Sequence, residues 1–279
     1  MRCACIHDLA GLGHCSLTAA IPILSVMGIQ ACPVPTAVLS SQTDGYTGYS
    51  FLDMTPELPA YIAHWASRHE RFDGIFTGFL GSHAQLALVE DFIRTFRGAD
   101  TLVVVDPVMG DDGAVYDTYT GDLCAGMARA ASLASVITPN LTEAAQLLGE
   151  SYADAPRDPD GLMAWAVRLT REIAPQAVIT GVPSEDGAEL RMAVCVRGEA
   201  SILTRPRVGT DTPCGGSYPG TGDVFASVLT GALLQGEGLT AAAARAADFT
   251  AVCVRRTAEA GTPREEGLLL EPMLSRLIQ

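Results

Sequence analysis

The chain contains no lysine: all 18 basic residues among its 279 are arginine. That absence removes several mechanisms. A Gly-rich phosphate loop that ends in lysine cannot be built. No lysine Schiff base can form with a carbonyl cofactor or substrate. Any bound phosphate must be held by backbone N–H groups, arginines, hydroxyls and a metal. Positive charge is scarce altogether: against 32 Asp and Glu the net charge is −14. Such a surface repels phosphate backbones, which argues against general nucleic-acid or membrane-surface binding. No apolar run reaches the roughly 18 uncharged residues of a membrane span. The first residues, Met1 to Asp8, read as a short buried strand and not as a secretory leader, so the cytoplasm is the expected location. The eight cysteines include no CxxC pair, and the five histidines complete no zinc pattern. Reduced, mostly buried thiols are expected, with Cys214 set apart because it lies in a Gly-rich loop. Internal repeats, low-complexity tracts and Pro/Gly/Ser-rich linkers are also missing, and the length suits one large domain.

What is present is alternation. Apolar, β-rich runs at 3–6, 31–39, 74–77, 101–105, 136–138 and 177–180 alternate with helical patterns at 16–27, 56–68, 82–96, 119–130, 142–148 and 159–173. Short continuous apolar strands between helices predict an α/β fold, a mostly parallel sheet covered on both faces. Then the rhythm changes. Residues 191–197 and 200–205 predict a hairpin turning at Gly198-Glu199, followed by two Ala-rich helices at about 222–234 and 240–257. In open α/β sheets ligands bind beyond the carboxyl ends of the strands, so the residues just after each strand are the functional candidates.

Four segments carry chemistry. In Pro213 to Asp223, Gly220 and Gly222 let the backbone turn tightly, and the helix start that follows offers unpaired N–H groups and a positive dipole end to an anion. A carboxylate there, Asp223, opposes anion binding unless it has a task, and the natural task is to take a proton from a hydroxyl that attacks phosphorus. The plain alternative is a first-turn helix acid favoured by the dipole alone. In Leu102 to Gly113, Asp106 stands at a strand end before a strand-stopping proline. Asp106 and Asp111 are hard oxygen donors of the kind Mg²⁺ prefers, though an Asp-rich turn explains Asp111 and Asp112 as well. In Val136 to Ala144, Asn140 or Thr142 caps the next helix, and Thr138, Asn140 and Glu143 project beside Asp106, with Glu143 placed to orient metal-bound water. The stretch His7 to His14 reads as a loop between the first strand and the first helix. With 40–46 and 78–82 it forms one half of a small-molecule crevice.

Taken together, Asp-Pro-Val-Met-Gly-Asp (106–111), Thr-Pro-Asn-Leu-Thr-Glu-Ala (138–144) and Gly-Thr-Gly-Asp (220–223), in this order, resemble the ribokinase superfamily. Gly13-His14, the Ser-x-Thr-x-Gly at 41–45 and Gly-Phe-Leu-Gly-Ser at 78–82 narrow the resemblance to pyridoxal and pyridoxamine kinases, over about residues 5–250. The resemblance implies a ribokinase-like three-layer sandwich as a single domain over 1–279. It also implies transfer of phosphate from ATP to the 5′-hydroxymethyl group of a vitamin B6 vitamer. Asp223 would be the general base and Gly220, Thr221 and Gly222 the anion hole. Asp106, Thr138 and Glu143 would contact ATP and its metal, with Asp111 as a second acid. Asn140 stands among them, and Thr180, Arg205, Pro206, Arg207 and Val208 would lie along the nucleotide cleft. Thr43 and Asp44 would contact the acceptor. Mg²⁺ with ATP, a monovalent cation such as K⁺ and a homodimer are implied as well. Two departures concern the acceptor: Asp8 stands where the family often has serine, and Phe79 where it often has tyrosine, which still offers a ring to stack on. Hydroxymethylpyrimidine kinases share the fold but usually end the anion-hole motif in cysteine instead of aspartate. They remain the alternative, beside a B6-binding protein without catalysis.

Overall fold

The computed structural model describes residues 1–116 and 121–278. Its contacts divide the chain into two compact units, Met1–Gly74 with Arg207–Gln279, and Ile75–Pro206.

The first unit begins with β1 (Arg2–Ala10), α1 (Ser16–Val26) and β2 (Gln30–Leu39), a right-sized crossover that leaves β1 and β2 parallel. The expected loop at His7 to His14 is corrected here: β1 continues through Ala10, because His7 and Asp8 are buried and stay in the ladder. Between the pairs His7–Pro35 and Leu9–Val38 the register slips by one residue on β2, a bulge opposite Asp8. A short antiparallel strand that the sequence did not suggest, β3 (Phe51–Asp53), pairs with 37–39 of β2. Its three residues are exposed and offer no apolar alternation to read. The helix α2 (Leu58–Ser67) follows, and its Tyr61 hydroxyl donates to the Pro33 carbonyl of β2 at 2.9 Å.

The alternating strands and helices of the second unit are built as foreseen. Its strands β4 (Gly74–Thr77), β5 (Leu102–Val105), β8 (Val136–Ile137) and β9 (Gln176–Pro183) are adjacent in that order. β5 and β8 run parallel, as do β8 and β9. The connecting helices are α3 (His83–Phe96), α4 (Gly121–Ala131), α5 (Leu141–Leu148) and α6 (Pro159–Glu172). The predicted start of α4 at Tyr119 lies outside the described residues. The strands are buried throughout most of their length, and Phe76, Phe92, Ile93 and Leu86 are among the largest side chains in this core. The antiparallel strands β10 (Glu189–Val196) and β11 (Glu199–Pro206) extend the sheet beyond β9. They turn at Arg197 and Gly198, one residue earlier than expected. Both have positive φ, +50° and +90°, the backbone of a two-residue hairpin turn.

A second hairpin was not foreseen. After β5 the chain forms β6 (Gly110–Asp111) and β7 (Ala114–Val115), closed by Asp112 and Gly113 at φ +47° and +82°. Asp-Gly is the preferred pair for this turn. The first unit is then completed by α7 (Thr221–Leu234) and α8 (Leu239–Ala260), packed together and, through α7, on α1.

Gly113 generates a direct test. A Cβ there would run into the ring of Tyr152, and the backbone lies in the left-handed region. Gly113→Ala should therefore destabilise the protein by about 1–3 kcal/mol in urea unfolding. A midpoint unchanged from the parent would show that the hairpin is not anchored as described.

Candidate active site

In the first unit the candidates gather at the start of α7. Gly220 is its N-cap, at φ +84°. A side chain there would collide with the carbonyl of His14, so glycine is required for both conformation and space. Thr221, Gly222 and Asp223 occupy the first turn, where backbone N–H groups have no partner within the helix. Around Gly222 a Cβ would meet nothing within 4 Å, so its surroundings are open. Asp223 is partly exposed, with 17% of its side-chain surface accessible, and its Oδ1 lies 3.8 Å from Nδ1 of the fully buried His7. Burial pushes the His7 imidazole down to about 3, so the ring is neutral and no ion pair forms at physiological pH. The Cys15 thiol is pushed up by burial and then by the charges of Asp223 and Asp8, so both carboxylates face that residue. Asp8 itself is buried. Desolvation raises its carboxyl above the ordinary value, and a hydrogen bond with Ser16 partly offsets this.

The Gly-rich loop ahead of α7 is folded on itself. The Thr212 hydroxyl donates to the Gly209 carbonyl at 2.6 Å and accepts the Gly216 N–H at 3.2 Å. Arg207 spends a terminal nitrogen on the Gly215 carbonyl, 3.2 Å away, and the Val208 carbonyl lies against Gly216. Cys214 is half-buried. Burial raises its thiol, but hydrogen bonds with Thr212 and Tyr218 and from the Gly216 N–H outweigh this and leave it below its usual value. Of the expected acceptor pair, Thr43 is exposed, while both oxygens of Asp44 are taken by Arg264.

In the second unit the candidates gather around Asp106, immediately after β5. Its N–H donates to the Thr77 carbonyl, and its Oδ1 accepts the Thr138 hydroxyl at 2.8 Å. Asp106 and Glu143 are both buried. Desolvation pushes Asp106 up to about 7. Glu143 is raised further, by burial first and by the Asp106 charge second. The sequence left the helix cap open between Asn140 and Thr142, and the structure assigns it to Asn140. The Asn140 side chain accepts the Glu143 N–H, and Glu143 reciprocates by accepting the Asn140 N–H at 2.8 Å. The second Glu143 oxygen accepts the Met109 N–H at 3.2 Å. The Asn140 amide also donates to the Gly110 carbonyl, and the Thr142 hydroxyl accepts the Gly113 N–H. Thr180 sits beside this cap, its N–H on the Pro139 carbonyl. Arg205 and Pro206 end β11, with Arg205 donating to the neighbouring Thr204 carbonyl. Phe79 is half-buried in the turn before α3.

Of the three acids expected at the metal, Asp111 stands apart from the buried pair, though its charge still acts on Glu143. It is exposed on the hairpin, where its Oδ1 accepts the Asp112 N–H. Among the described residues no three His, Cys, Asp or Glu side chains converge as metal ligands. Sequence reasoning also passed over His7 and Arg264. The alternation Cys3, Cys5, His7 on one face of β1 was the available signal for the histidine. Nothing local marks Arg264, whose partner is 220 residues away.

Comparison with known proteins supplies the lineage. The family model for phosphomethylpyrimidine kinase matches residues 15–267. A solved protein of Bacteroides thetaiotaomicron, provisionally named phosphomethylpyrimidine kinase, is 41% identical, with a TM-score of 0.92 over 100% of this chain and 94% of its own. A second crystal form of it contains pyridoxal. The pyridoxal kinase of Lactobacillus plantarum is 31% identical, with a TM-score of 0.89 over 99% of this chain and 96% of that one. The pyridoxine/pyridoxal/pyridoxamine kinase of Bordetella bronchiseptica is 28% identical over 89% of this chain and 87% of its own length. The loop-and-helix start at Gly220, the strand-end acid Asp106 and the first-turn acid Glu143 of α5 thus lie within the matched scaffold, and the chain belongs to the phosphomethylpyrimidine kinase family, among the ribokinase-like pyridoxal kinases.

Proposed function

We propose that this protein transfers the γ-phosphoryl group of ATP to the 5′-hydroxymethyl group of a vitamin B6 vitamer, giving the 5′-phosphate and ADP. The observation that carries the reading is Asp223, a partly exposed carboxylate in the first turn of a helix whose N-cap is a left-handed glycine. The relatives named as pyridoxal kinases supply the acceptor class. In the reaction the acceptor hydroxyl gives its proton to Asp223. Its oxygen then bonds to the γ-phosphorus as the bond to the bridging oxygen breaks, and ADP leaves with that electron pair. The N–H groups and positive dipole end of the first turn of α7 would stabilise the charge on the transferred group. Closure of 209–219 would exclude water and limit wasteful hydrolysis.

Mg²⁺ fits the second unit. Asp106 and Glu143 are buried acids with no cationic side chain among the causes of their shifts. Such a pair suits a cation held partly through water and phosphate, the usual habit of Mg²⁺, and does not need a third protein acid. When bound, the metal would neutralise phosphate charge. Thr138 orients Asp106, and Asn140, assigned with them to the nucleotide side, positions Glu143 through the cap. Thr180, Arg205, Pro206, Arg207 and Val208 are assigned to the nucleotide side, and Asp8, Thr43, Asp44 and Phe79 to the acceptor side. On the resemblance alone we add a K⁺ requirement, a homodimer, a single functional domain and a cytoplasmic location. Among the described residues no helix is long and apolar enough to cross a membrane.

The family name favours a second reading, hydroxymethylpyrimidine as acceptor. A coupled ADP-release assay with Mg-ATP and pyridoxal, pyridoxine, pyridoxamine or hydroxymethylpyrimidine decides between them. Turnover confined to the pyrimidine would replace the B6 assignment. In the same assay Asp223→Asn should lower kcat by about 10²–10⁴-fold with nucleotide affinity nearly unchanged. Undiminished turnover would remove Asp223 as the base, and a parent that binds B6 without turnover would be a binding protein.

The buried acids give a pH test. The folded pKa of Asp106, about 7, is above the unfolded carboxylate value near 4. Its contribution to stability is therefore fully present below about pH 4 and is lost as pH rises through about 7. Metal-free protein should lose Tm across that window, and Asp106→Asn should flatten the loss in calorimetry. An equal slope in the variant would assign the titration elsewhere.

A further inference from the structure

Arg264 has no role in the reaction above, yet three segments of the first unit converge on the short helical turn that it opens, Arg264–Glu266, after α8. Its Nη1 and Nη2 donate to the two oxygens of Asp44 at 2.8 and 2.7 Å. Its Nε donates to the Ser217 carbonyl at 3.1 Å. Asp44 belongs to the loop between β2 and β3, and Ser217 to the Gly-rich loop that ends at Gly220. One planar guanidinium thus spans both, in the fork geometry that lysine cannot reproduce.

The residues after it reinforce the same junction. The Gln42 side chain donates to the Glu265 carbonyl at 2.5 Å. Gly45 lies so close that a Cβ would stand 2.7 Å from Cβ of Glu265. Gly267 pairs with His14, whose carbonyl faces Gly220, and it also lies 3.2 Å, by its virtual Cβ, from the Pro219 carbonyl. His14 in turn bonds Glu271 at 2.8 Å. Arg264 and Asp44 are 40% and 53% exposed, so their pairing adds little to global stability. What the fork supplies is a defined relation between two loops.

We propose that Arg264 is a positioning residue for the acceptor: it ties the 40–46 loop to the Gly-rich loop ahead of the anion turn, so that the two are ordered together. Asp44 then acts through Arg264 and does not itself touch the acceptor. The proposal rests on the kinase reading and deepens it.

The test uses the full chain with Mg-ATP and pyridoxal. Arg264→Ala should raise the KM for pyridoxal about tenfold, leave the KM for ATP within about twofold, and move Tm by no more than a few degrees. Arg264→Lys should not rescue it. Asp44→Asn should reproduce the defect, and the double variant should be no worse than either single one, because both remove one interaction. Additive defects, or a KM for pyridoxal within about twofold of the parent in both single variants, would overturn the proposal. Should Arg264→Ala fail to fold, Asp44→Asn alone carries the same comparison. Should the parent turn over no acceptor, the kinase reading has failed, and endoproteinase Asp-N cleavage before Asp211 in the Gly-rich loop then decides separately. Faster cleavage in either variant upholds the tie between the loops, and an unchanged rate refutes it.

Discussion

Glu143 is the residue on which the local architecture of the second unit depends. Its carboxylate is almost wholly out of water, and both oxygens accept backbone N–H groups, one from Asn140 at the start of α5 and one from Met109 after β5. Two strand ends are tied together through that single group. The β6–β7 hairpin hangs from the same point, by the Asn140 amide on Gly110 and the Thr142 hydroxyl on Gly113. Loss of a buried acceptor would leave its donors without partners, which costs more than the bonds themselves contribute. The arrangement carries an opposing term, since burial and the nearby Asp106 both resist ionisation of Glu143. An acid kept in so unfavourable a place would gain from the cation proposed above.

The two units solve different electrostatic problems. In the second, carboxylates are desolvated and held by hydroxyl and backbone donors, so they are poised to gain from a positive charge. In the first, Asp223 keeps contact with water in the first turn of α7, beside a neutral histidine. The proton transfer proposed for it would use that access. The absence of lysine is consistent with both designs, because neither relies on a mobile ammonium group.

What could be read from the sequence was local. Alternating apolar runs and helical patterns located the buried strands and the helices between them because burial on both faces leaves continuous apolar segments. The Gly220 to Asp223 segment was legible for a similar reason: a glycine turn, a helix start and an acid are consecutive residues. The hairpin that carries Asp111 was missed because Asp-Gly is equally the signature of a tight hairpin turn and of an acidic loop, and only three-dimensional pairing separates the two. Asp8 was placed in a loop because a polar pair ordinarily ends a strand, whereas here a bulge on β2 accommodates it inside the ladder. Arg264 was invisible, since its meaning lies in Asp44 and Ser217, and nothing in composition or spacing connects residues so distant in the chain.

The division of the chain has a consequence for its biosynthesis. The second unit is one uninterrupted stretch, Ile75–Pro206, while the first needs both Met1–Gly74 and Arg207–Gln279. During synthesis from the N-terminus, units fold as their residues become available. The first 74 residues must therefore wait for α7, which packs on α1, and for α8, which packs on α7. The nascent polypeptide can complete the half that carries Asp106 and Glu143 while still tethered to the ribosome. Asp223 acquires its surroundings only after residues 207 onward have emerged, so the unit that holds it is completed after the unit that holds Asp106 and Glu143, and a product truncated before Arg207 would keep those two acids without α7.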